Sequence, residues 1–290
     1  MLKTKKFFLL CLLFGALLPL SPALAAPLPS LKNNWSNLPE SSLSSNSAIV
    51  IDYKSGKVLY SKNPDAPRTA ASLTKVMTSV IWYEQKPLLK KQVAILDEDE
   101  VGGGRLRVAT GTVMTANDLL HCALVGSANN AAMALMRTSG LVAKTFIDQM
   151  NVRAVTLGMP ATKFYDAAGM DARNTTSARD MAKLVAYAFE NRLLQKAAQT
   201  GEYKFTTQSP RLTKNIKNTN QLLLDENGLW IVAGKTGYLD EAKYNLAIRV
   251  KDPAKKRELV VVTLGAESKK QSFDETEKLT KWAWGNYVWP

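Results

Sequence analysis

The stretch Pro67-Arg68-Thr69-Ala70-Ala71-Ser72-Leu73-Thr74-Lys75 joins the first extended segments of the chain to its first helix. Pro67 ends the extended part, and Leu73 to Glu84 has the apolar periodicity of a helix. Ser72 and Lys75 are three residues apart, so on a helix they project from nearly the same face. A serine with a base one turn away is an arrangement for nucleophilic catalysis. Taken alone, the spacing is equally compatible with a surface serine followed by an unrelated lysine.

Lys75 can act as a base only if its ammonium form is destabilised. Burial and a second nearby cation both do this, and Lys235 is the expected cation. The N-terminal dipole of the helix would favour negative charge developing near Ser72. We therefore expect activity to rise with pH as Lys75 loses its proton, and a rate independent of pH from about 5 to 9 would contradict lysine as the base.

Two further short motifs follow along the chain. Ser127-Ala128-Asn129 comes after Val125-Gly126, between two apolar helices, and by itself it is equally compatible with a helix N-cap. Lys235-Thr236-Gly237 follows an apolar run and Gly234, so two glycines flank Lys235 and Thr236 at a predicted strand edge. Such an edge permits close approach of a ligand that adds as an extra strand. A plain strand-to-turn junction would look the same.

The order of the three motifs resembles the penicillin-binding protein and serine β-lactamase superfamily. Ser127 lies 55 residues after Ser72, and Lys235 lies 108 residues after Ser127. Within the superfamily the chain is most similar to the D-alanyl-D-alanine carboxypeptidase and endopeptidase family, serine peptidase family S11. The likeness runs from about residue 47 to about residue 265. Outside the three motifs it is carried by Ala48-Ile49-Val50-Ile51-Asp52, by the residues leading into Ser72 and by Thr176-Ser177-Ala178-Arg179-Asp180.

The resemblance implies an acyl-serine peptidase. Ser72 would attack the D-alanyl carbonyl, the Ser127 hydroxyl would relay a proton to the leaving amine, and a backbone amide of Tyr238 would join that of Ser72 in an oxyanion hole. Asn129 would hold the substrate backbone, and Lys235 and Thr236 its terminal carboxylate. The site residues expected from the resemblance are Ser72, Lys75, Ser127 and Asn129 for catalysis, and Lys235, Thr236, Gly237 and Tyr238 for substrate binding.

The apolar pattern places strands at both ends of the chain and helices between them. Ala48–Asp52 and Lys57–Tyr60 read as a hairpin, and three more strands are predicted between residues 229 and 264. An antiparallel sheet is therefore completed by distant parts of the chain. We predict an α/β sandwich with a β-lactamase/transpeptidase-like fold, in which helices flank the sheet and an all-helical lobe is inserted at about residues 90–215. A last helix is predicted from Phe273 to Trp289.

The N-terminus has the layout of a secretory signal peptide. Three lysines precede an apolar run from Phe7 to Leu20 and the small residues before Ala26, so we expect a signal peptide over residues 1–25, cleaved after Ala25. Residues 26–46 are expected to be a linker and 47–290 the peptidase domain, without a C-terminal β domain. The protein should be exported and periplasmic, with no stable membrane anchor.

Composition excludes several classes of chemistry. The formal charge of +13 falls to +10 without the three signal lysines, which suits a wall polymer with free carboxylates or a dispersed solvated surface. Scattered cations without an aromatic-basic motif argue against nucleic acid. His121 is the one histidine, and Cys122 the one cysteine after the signal, so a histidine-based triad and a zinc site are disfavoured. We expect Cys122 to be a buried, inert thiol and no metal or cofactor to be needed.

The resemblance leaves several activities open. The chain ends directly after the last predicted helix, like the small D,D-endopeptidases of the penicillin-binding protein 7 type, which cut peptidoglycan cross-links. A D,D-carboxypeptidase that removes the terminal D-alanine of a stem peptide is the alternative. A serine β-lactamase is disfavoured because no E-x-x-L-N segment follows the second motif, so β-lactams should acylate the protein and stay. A non-catalytic wall-binding protein would lack Ser72 or Lys75.

Overall fold

The computed structural model describes residues 28–225, 227–254 and 256–290. The predicted signal peptide, residues 1–25, lies outside this part of the chain. The helices are α1 Thr74–Glu84, α2 Ala116–Leu124, α3 Asn129–Arg137, α4 Ala143–Thr156, α5 Ala178–Ala188, α6 Arg192–Gln199 and α7 Lys269–Asn286. The strands are β1 Ser30–Leu31, β2 Ser47–Asp52, β3 Val58–Lys62, β4 Arg68–Thr69, β5 Gln92–Ala94, β6 Val113–Thr115, β7 Thr175–Thr176, β8 Glu202–Thr206, β9 Thr213–Lys217, β10 Trp230–Leu239, β11 Lys243–Lys251, β12 Glu258–Ala266 and β13 Tyr287–Val288.

A five-stranded antiparallel sheet forms the centre of the molecule, in the order β10-β11-β12-β2-β3. β2 pairs with β12 although some two hundred residues separate them, which confirms the predicted sheet built from both ends of the chain. Alternate residues of β12 face opposite sides of the sheet. Val260 and Val262 pack with the helical lobe, whereas Leu259 and Val261 pack on the side of α7. This period of two explains why the strand is apolar throughout. β10 lies at the edge of the sheet, where a ligand can reach it.

The inserted lobe contains strands as well as helices, so the prediction of an all-helical lobe is wrong. Two small antiparallel pairs, β5–β6 and β8–β9, lie among the helices. β8 and β9 alternate exposed with less exposed positions and carry several lysines, which conceals them in an apolar scan. The short helix α6 also escapes the apolar pattern, although its N-cap, Asn191, accepts hydrogen bonds from Leu193 N (2.9 Å) and Leu194 N (3.2 Å).

The expected N-terminal linker is packed against the domain over its described part, residues 28–46. β1 pairs with β13, and Leu38 and Leu43 are buried in the core beside α7. The carboxylate of Glu275 on α7 accepts hydrogen bonds from Ser44 N (2.6 Å) and Ser45 N (3.0 Å). The Ser, Asn and Pro content of this stretch suggested a linker, because composition does not reveal contacts with distant segments of the chain. Among the described residues, none of the helices is both long and apolar enough to cross a membrane.

Candidate active site

Ser72 lies in a single 3₁₀ turn, Ala71–Leu73, that leads directly into α1. The turn is held tightly. Ala71 has a φ of +49°, and a Cβ at Gly169 would come within 2.0 Å of the Ala71 carbonyl oxygen, so only glycine fits there. From the sheet, the Asn245 side chain donates to the Thr69 carbonyl at 3.0 Å. Ser72 is therefore fixed by segments far from it in sequence.

The Lys75 ammonium nitrogen has three oxygen acceptors. Nζ lies 2.9 Å from Ser72 Oγ, 2.6 Å from Asn129 Oδ1 and 2.5 Å from the Ala168 carbonyl oxygen. An ammonium group fills these positions with its three protons. A neutral amine has two N–H groups, which suit the two purely accepting oxygens of Asn129 and Ala168. Its lone pair then faces the Ser72 hydroxyl, as a general base requires.

Burial favours the neutral form of the Lys75 amine over its charged form. Lys75 is fully buried, and desolvation lowers its pKa to about 7, while the negative charge of Asp166 raises that pKa in part. The expectation that Lys235, as a second nearby cation, helps to lower the pKa of Lys75 needs correction, because desolvation alone accounts for the lowering. The positive charge of Lys75 instead helps to lower the pKa of Lys235, which burial already holds well below its ordinary value.

Ser127 and Asn129 lie at the junction between α2 and α3. The N-cap of α3 is Ala128 and has no side-chain capping bond, so the alternative of a simple helix N-cap is wrong. Ser127 has a φ of +57°, and its Oγ accepts a hydrogen bond from Lys235 Nζ at 2.7 Å. The Asn129 amide also donates to the Gly102 carbonyl at 2.8 Å while its oxygen faces Lys75.

Lys235, Thr236, Gly237 and Tyr238 lie in succession on the edge strand β10. Lys235 is buried, and besides Ser127 its Nζ has one further acceptor among the described residues, the Thr236 carbonyl at 2.8 Å. Gly237 packs against the turn that contains Ser72, since a Cβ there would lie 3.3 Å from Ser72 N. Gly234 faces Asn220 and Ile248. The two glycines thus accommodate close approach of the protein's own segments, rather than of a ligand as the sequence alone suggested.

The side chains of Ser72, Ser127, Asn129, Thr236 and Tyr238 converge on one open cavity of about 520 Å³. The tyrosine ring of Tyr238 is about half exposed and packs on Tyr244, with ring centroids 4.5 Å apart. Asp240 is the one carboxylate among the described residues that line this cavity, and it accepts the Tyr238 hydroxyl at 2.6 Å. It is engaged away from the serine. We call this cavity the catalytic cleft.

Thr219 is a cleft residue that the motif search missed. Its Oγ1 lies 2.6 Å from Thr236 Oγ1, and its backbone N–H donates to the Val125 carbonyl at 3.0 Å. It thereby joins β9 to the Ser127 junction and to β10. In the sequence, the only signal for Thr219 was the polar run Lys217-Asn218-Thr219-Asn220, which precedes the strands predicted between residues 229 and 264.

His121 and Cys122 take no part in the cleft. The imidazole stacks on Tyr203 at a centroid distance of 4.0 Å, and its Nδ1 lies 2.8 Å from the Asn117 carbonyl oxygen. Cys122 is fully buried, and burial raises the pKa of its thiol well above the ordinary range. The structure thus contradicts a histidine-based triad, and Cys122 is buried as expected.

Comparison with known proteins matches the chain over most of its length. The family described as D-alanyl-D-alanine carboxypeptidase, peptidase S11, matches residues 34–268. A D-alanyl-D-alanine endopeptidase of Pseudomonas aeruginosa is 33% identical over 83% of this chain and 77% of its own length. An Escherichia coli protein of the same name is 32% identical over 86% of this chain and 80% of its own length. The crystal structure of the Streptomyces K15 DD-transpeptidase superposes with a TM-score of 0.78 at 25% identity, covering 86% of this chain and all of that one.

Proposed function

Because the chain belongs to the S11 family of D-alanyl-D-alanine carboxypeptidases, we propose that it is a serine D,D-endopeptidase that opens peptidoglycan cross-links through an acyl-enzyme on Ser72. One observation carries the chemistry: the buried Lys75 Nζ, with a pKa lowered to about 7, lies 2.9 Å from Ser72 Oγ. Relatives named endopeptidases, each 32–33% identical and covered over more than three quarters of their length, support the choice of cross-links.

Acylation begins at Ser72. The neutral amine of Lys75 takes the hydroxyl proton as Oγ bonds to the D-alanyl carbonyl carbon, and the carbonyl oxygen becomes an oxyanion. Backbone amides of Ser72 and Tyr238 stabilise that oxyanion, a contribution of about 3 kcal/mol for each donor. Asn129 contacts both Lys75 and the cleft, which suits it to hold the substrate backbone beside the reacting atoms.

The leaving amine departs on the side of Ser127. Ser127 Oγ accepts from Lys235 Nζ, so its own proton is free to pass to the amine nitrogen as the carbon–nitrogen bond breaks. The proton that Lys75 took from Ser72 then replaces the one that Ser127 gave up, which leaves Lys75 neutral again before water attacks. Lys235 and Thr236 bind the carboxylate on the leaving side, and this anion restores the charged form of Lys235. Water then attacks the Ser72 ester, releases the donor peptide and returns the proton to Ser72 through Lys75.

A β-lactam should acylate Ser72 and remain. In the penicillinase class of serine β-lactamases, rapid loss of the adduct needs a glutamate that activates water beside the ester. The Asp166 carboxylate is occupied by backbone N–H groups, including Ala168 N at 2.7 Å, and Asp240 is held by Tyr238. The reaction would take place in the periplasm, where peptidoglycan lies, and the signal-like residues 1–25 support this location. The proposed partner is therefore peptidoglycan and not a nucleic acid.

The first test measures intact mass after incubation with benzylpenicillin, beside a Ser72→Ala control, and then offers cross-linked muropeptides and single pentapeptide stems. A persistent adduct on the wild type alone, together with cross-link cleavage, is expected. A pentapeptide trimmed in preference to a cross-link would make the protein a carboxypeptidase, the activity named for an Escherichia coli relative 33% identical to it. A short-lived adduct would indicate a β-lactamase, and no adduct a non-catalytic wall-binding protein.

A further inference from the structure

A second cavity lies directly beside Ser127, with a volume of about 240 Å³. Both sequence neighbours of Ser127, Gly126 and Ala128, line it, and Gly126 also lines the catalytic cleft. The facing wall comes from β9, including Lys214 and Ile216. The two cavities thus meet at the residue on whose side the leaving amine is proposed to depart. We call the second cavity the leaving-side groove.

The leaving-side groove is cationic. Arg105, Arg107 and Lys214 line it, and its described lining contains no carboxylate. Arg105 is already compensated, because its Nη1 lies 3.3 Å from Glu100 Oε2. Arg107 is exposed and has no ion pair among the described residues, while Lys214 Nζ donates only to the Arg107 carbonyl oxygen, at 3.1 Å. Two cations therefore remain available to an anionic ligand.

A wide surface depression of about 1210 Å³ continues the groove outward and borders the catalytic cleft at Gly103 and Gly104. The passage is open at Gly104, where an added Cβ would meet one atom, the Ser127 carbonyl oxygen, at 3.7 Å. The carboxylates of this outer section are engaged: Glu100 with Arg105, and Asp97 with the Thr110 hydroxyl at 2.7 Å. An extended chain leaving the cleft past Ser127 therefore has room beside the two cations Arg107 and Lys214.

We propose that the leaving-side groove binds the leaving peptide of a cross-link, with Arg107 and Lys214 holding its free carboxylates. The inference rests on the endopeptidase function proposed above. A carboxypeptidase releases a single D-alanine, whose carboxylate Lys235 and Thr236 already hold beside Ser127. Cleavage of a cross-link releases a whole stem peptide, which extends farther and carries additional carboxylates. The groove would therefore select cross-links over single stems.

Arg107→Glu tests the proposal, with Lys278→Glu as its matched control. Both substitutions change the net charge by two, but Lys278 is exposed on α7 and does not line the cleft or the groove. For each protein we would measure kcat/KM on a purified cross-linked muropeptide dimer and on a single pentapeptide stem. Acylation by benzylpenicillin checks that the catalytic residues are intact in each variant.

Arg107→Glu should lower kcat/KM on the dimer about 10- to 100-fold, the size expected for losing a charge-assisted contact and gaining a repulsive one. Lys278→Glu should stay within about twofold of the wild type. Gly104→Ala, whose Cβ would lie 3.7 Å from the Ser127 carbonyl oxygen and so narrows the passage, should likewise shift the ratio of dimer to pentapeptide cleavage towards the pentapeptide. Equal dimer cleavage by Arg107→Glu and Lys278→Glu would overturn the proposed role of the leaving-side groove and leave the endopeptidase function standing. A wild type that reacts with penicillin but leaves the dimer intact would overturn both the groove and the endopeptidase.

Discussion

Two lysine–serine pairs lie at the catalytic cleft, and they differ in how the lysine is satisfied. Lys75 and Ser72 are three residues apart, with Nζ and Oγ 2.9 Å apart. Lys235 and Ser127 are 108 residues apart and their corresponding distance is 2.7 Å. Lys75 has three oxygen acceptors, whereas Lys235 has two among the described residues.

Because the two lysines differ in their number of acceptors, the two lysine–serine pairs are suited to different chemistry. The acceptors around Lys75 account for every proton of its ammonium, so losing one proton leaves a lone pair aimed at Ser72. In its ammonium form, Lys235 has one N–H without an acceptor among the described residues, and a substrate carboxylate can accept from it. Burial lowers the pKa of both lysines, yet only at Lys235 does the proposed substrate bring a compensating negative charge. One pair is therefore suited to proton transfer and the other to carboxylate binding and relay.

The largest effect should come from replacing Lys75. Lys75→Ala removes the general base, and the rate of acylation by benzylpenicillin should fall about 10³-fold. Lys75→Arg should be equally slow, because a guanidinium does not deprotonate. Thermal unfolding of both variants checks that they fold. An arginine variant that keeps more than a tenth of the rate would show that position 75 needs only a positive charge.

The pH profile tests the same pair in the wild type. Because the pKa of Lys75 is about 7, the neutral base becomes scarcer about tenfold for each pH unit below that value. Acylation should therefore be about 100-fold slower at pH 5 than at pH 8, and level above about pH 8. Stopped-flow acylation across this range measures it. A profile that stays flat would remove Lys75 from the role of base.

Lys235→Ala should have a smaller effect that depends on the substrate. Losing a charge-assisted hydrogen bond costs about 1.5–3 kcal/mol, or about 10- to 100-fold in kcat/KM. The loss should be larger on a D-alanyl-D-alanine peptide with a free carboxylate than on its C-terminal amide, where only the contact of Lys235 with Ser127 is lost. The wild type measured on both peptides is the control. Equal losses on acid and amide would mean that Lys235 acts on Ser127 and not on the carboxylate.

Thr219→Val should have the smallest effect. It removes the 2.6 Å contact between the Thr219 and Thr236 hydroxyl groups at nearly constant volume, which costs about 1 kcal/mol and slows acylation about fivefold. Thr219→Ser, which keeps the hydroxyl, is the matched control and should restore most of the rate. If the serine variant is as slow as the valine variant, the methyl packing matters more than the hydrogen bond.

The sequence predicted elements well where the apolar pattern was strong. α1 begins within one residue of its predicted start and ends at Glu84 as predicted, and the hairpin strand β2 ends at the predicted Asp52. It failed where stability comes from partners outside the element. α6 and β8–β9 have polar sequences, and residues 28–46 are ordered by β13 and Glu275. α7 begins at Lys269, four residues earlier than predicted, directly after the N-cap Ser268, whose hydroxyl accepts a hydrogen bond from Gln271 N at 3.2 Å.

By itself, the sequence determined the local half of the candidate site. A spacing of three places Lys75 beside Ser72 on any helix, since the geometry of one turn is set by neighbouring residues. The tertiary structure alone decided that Lys75 is dehydrated, that Asn129 and Ala168 accept from it, and that Lys235 reaches Ser127 across 108 residues. Desolvation and contacts between distant segments depend on how the lobe packs against the sheet, and local spacing does not encode that packing.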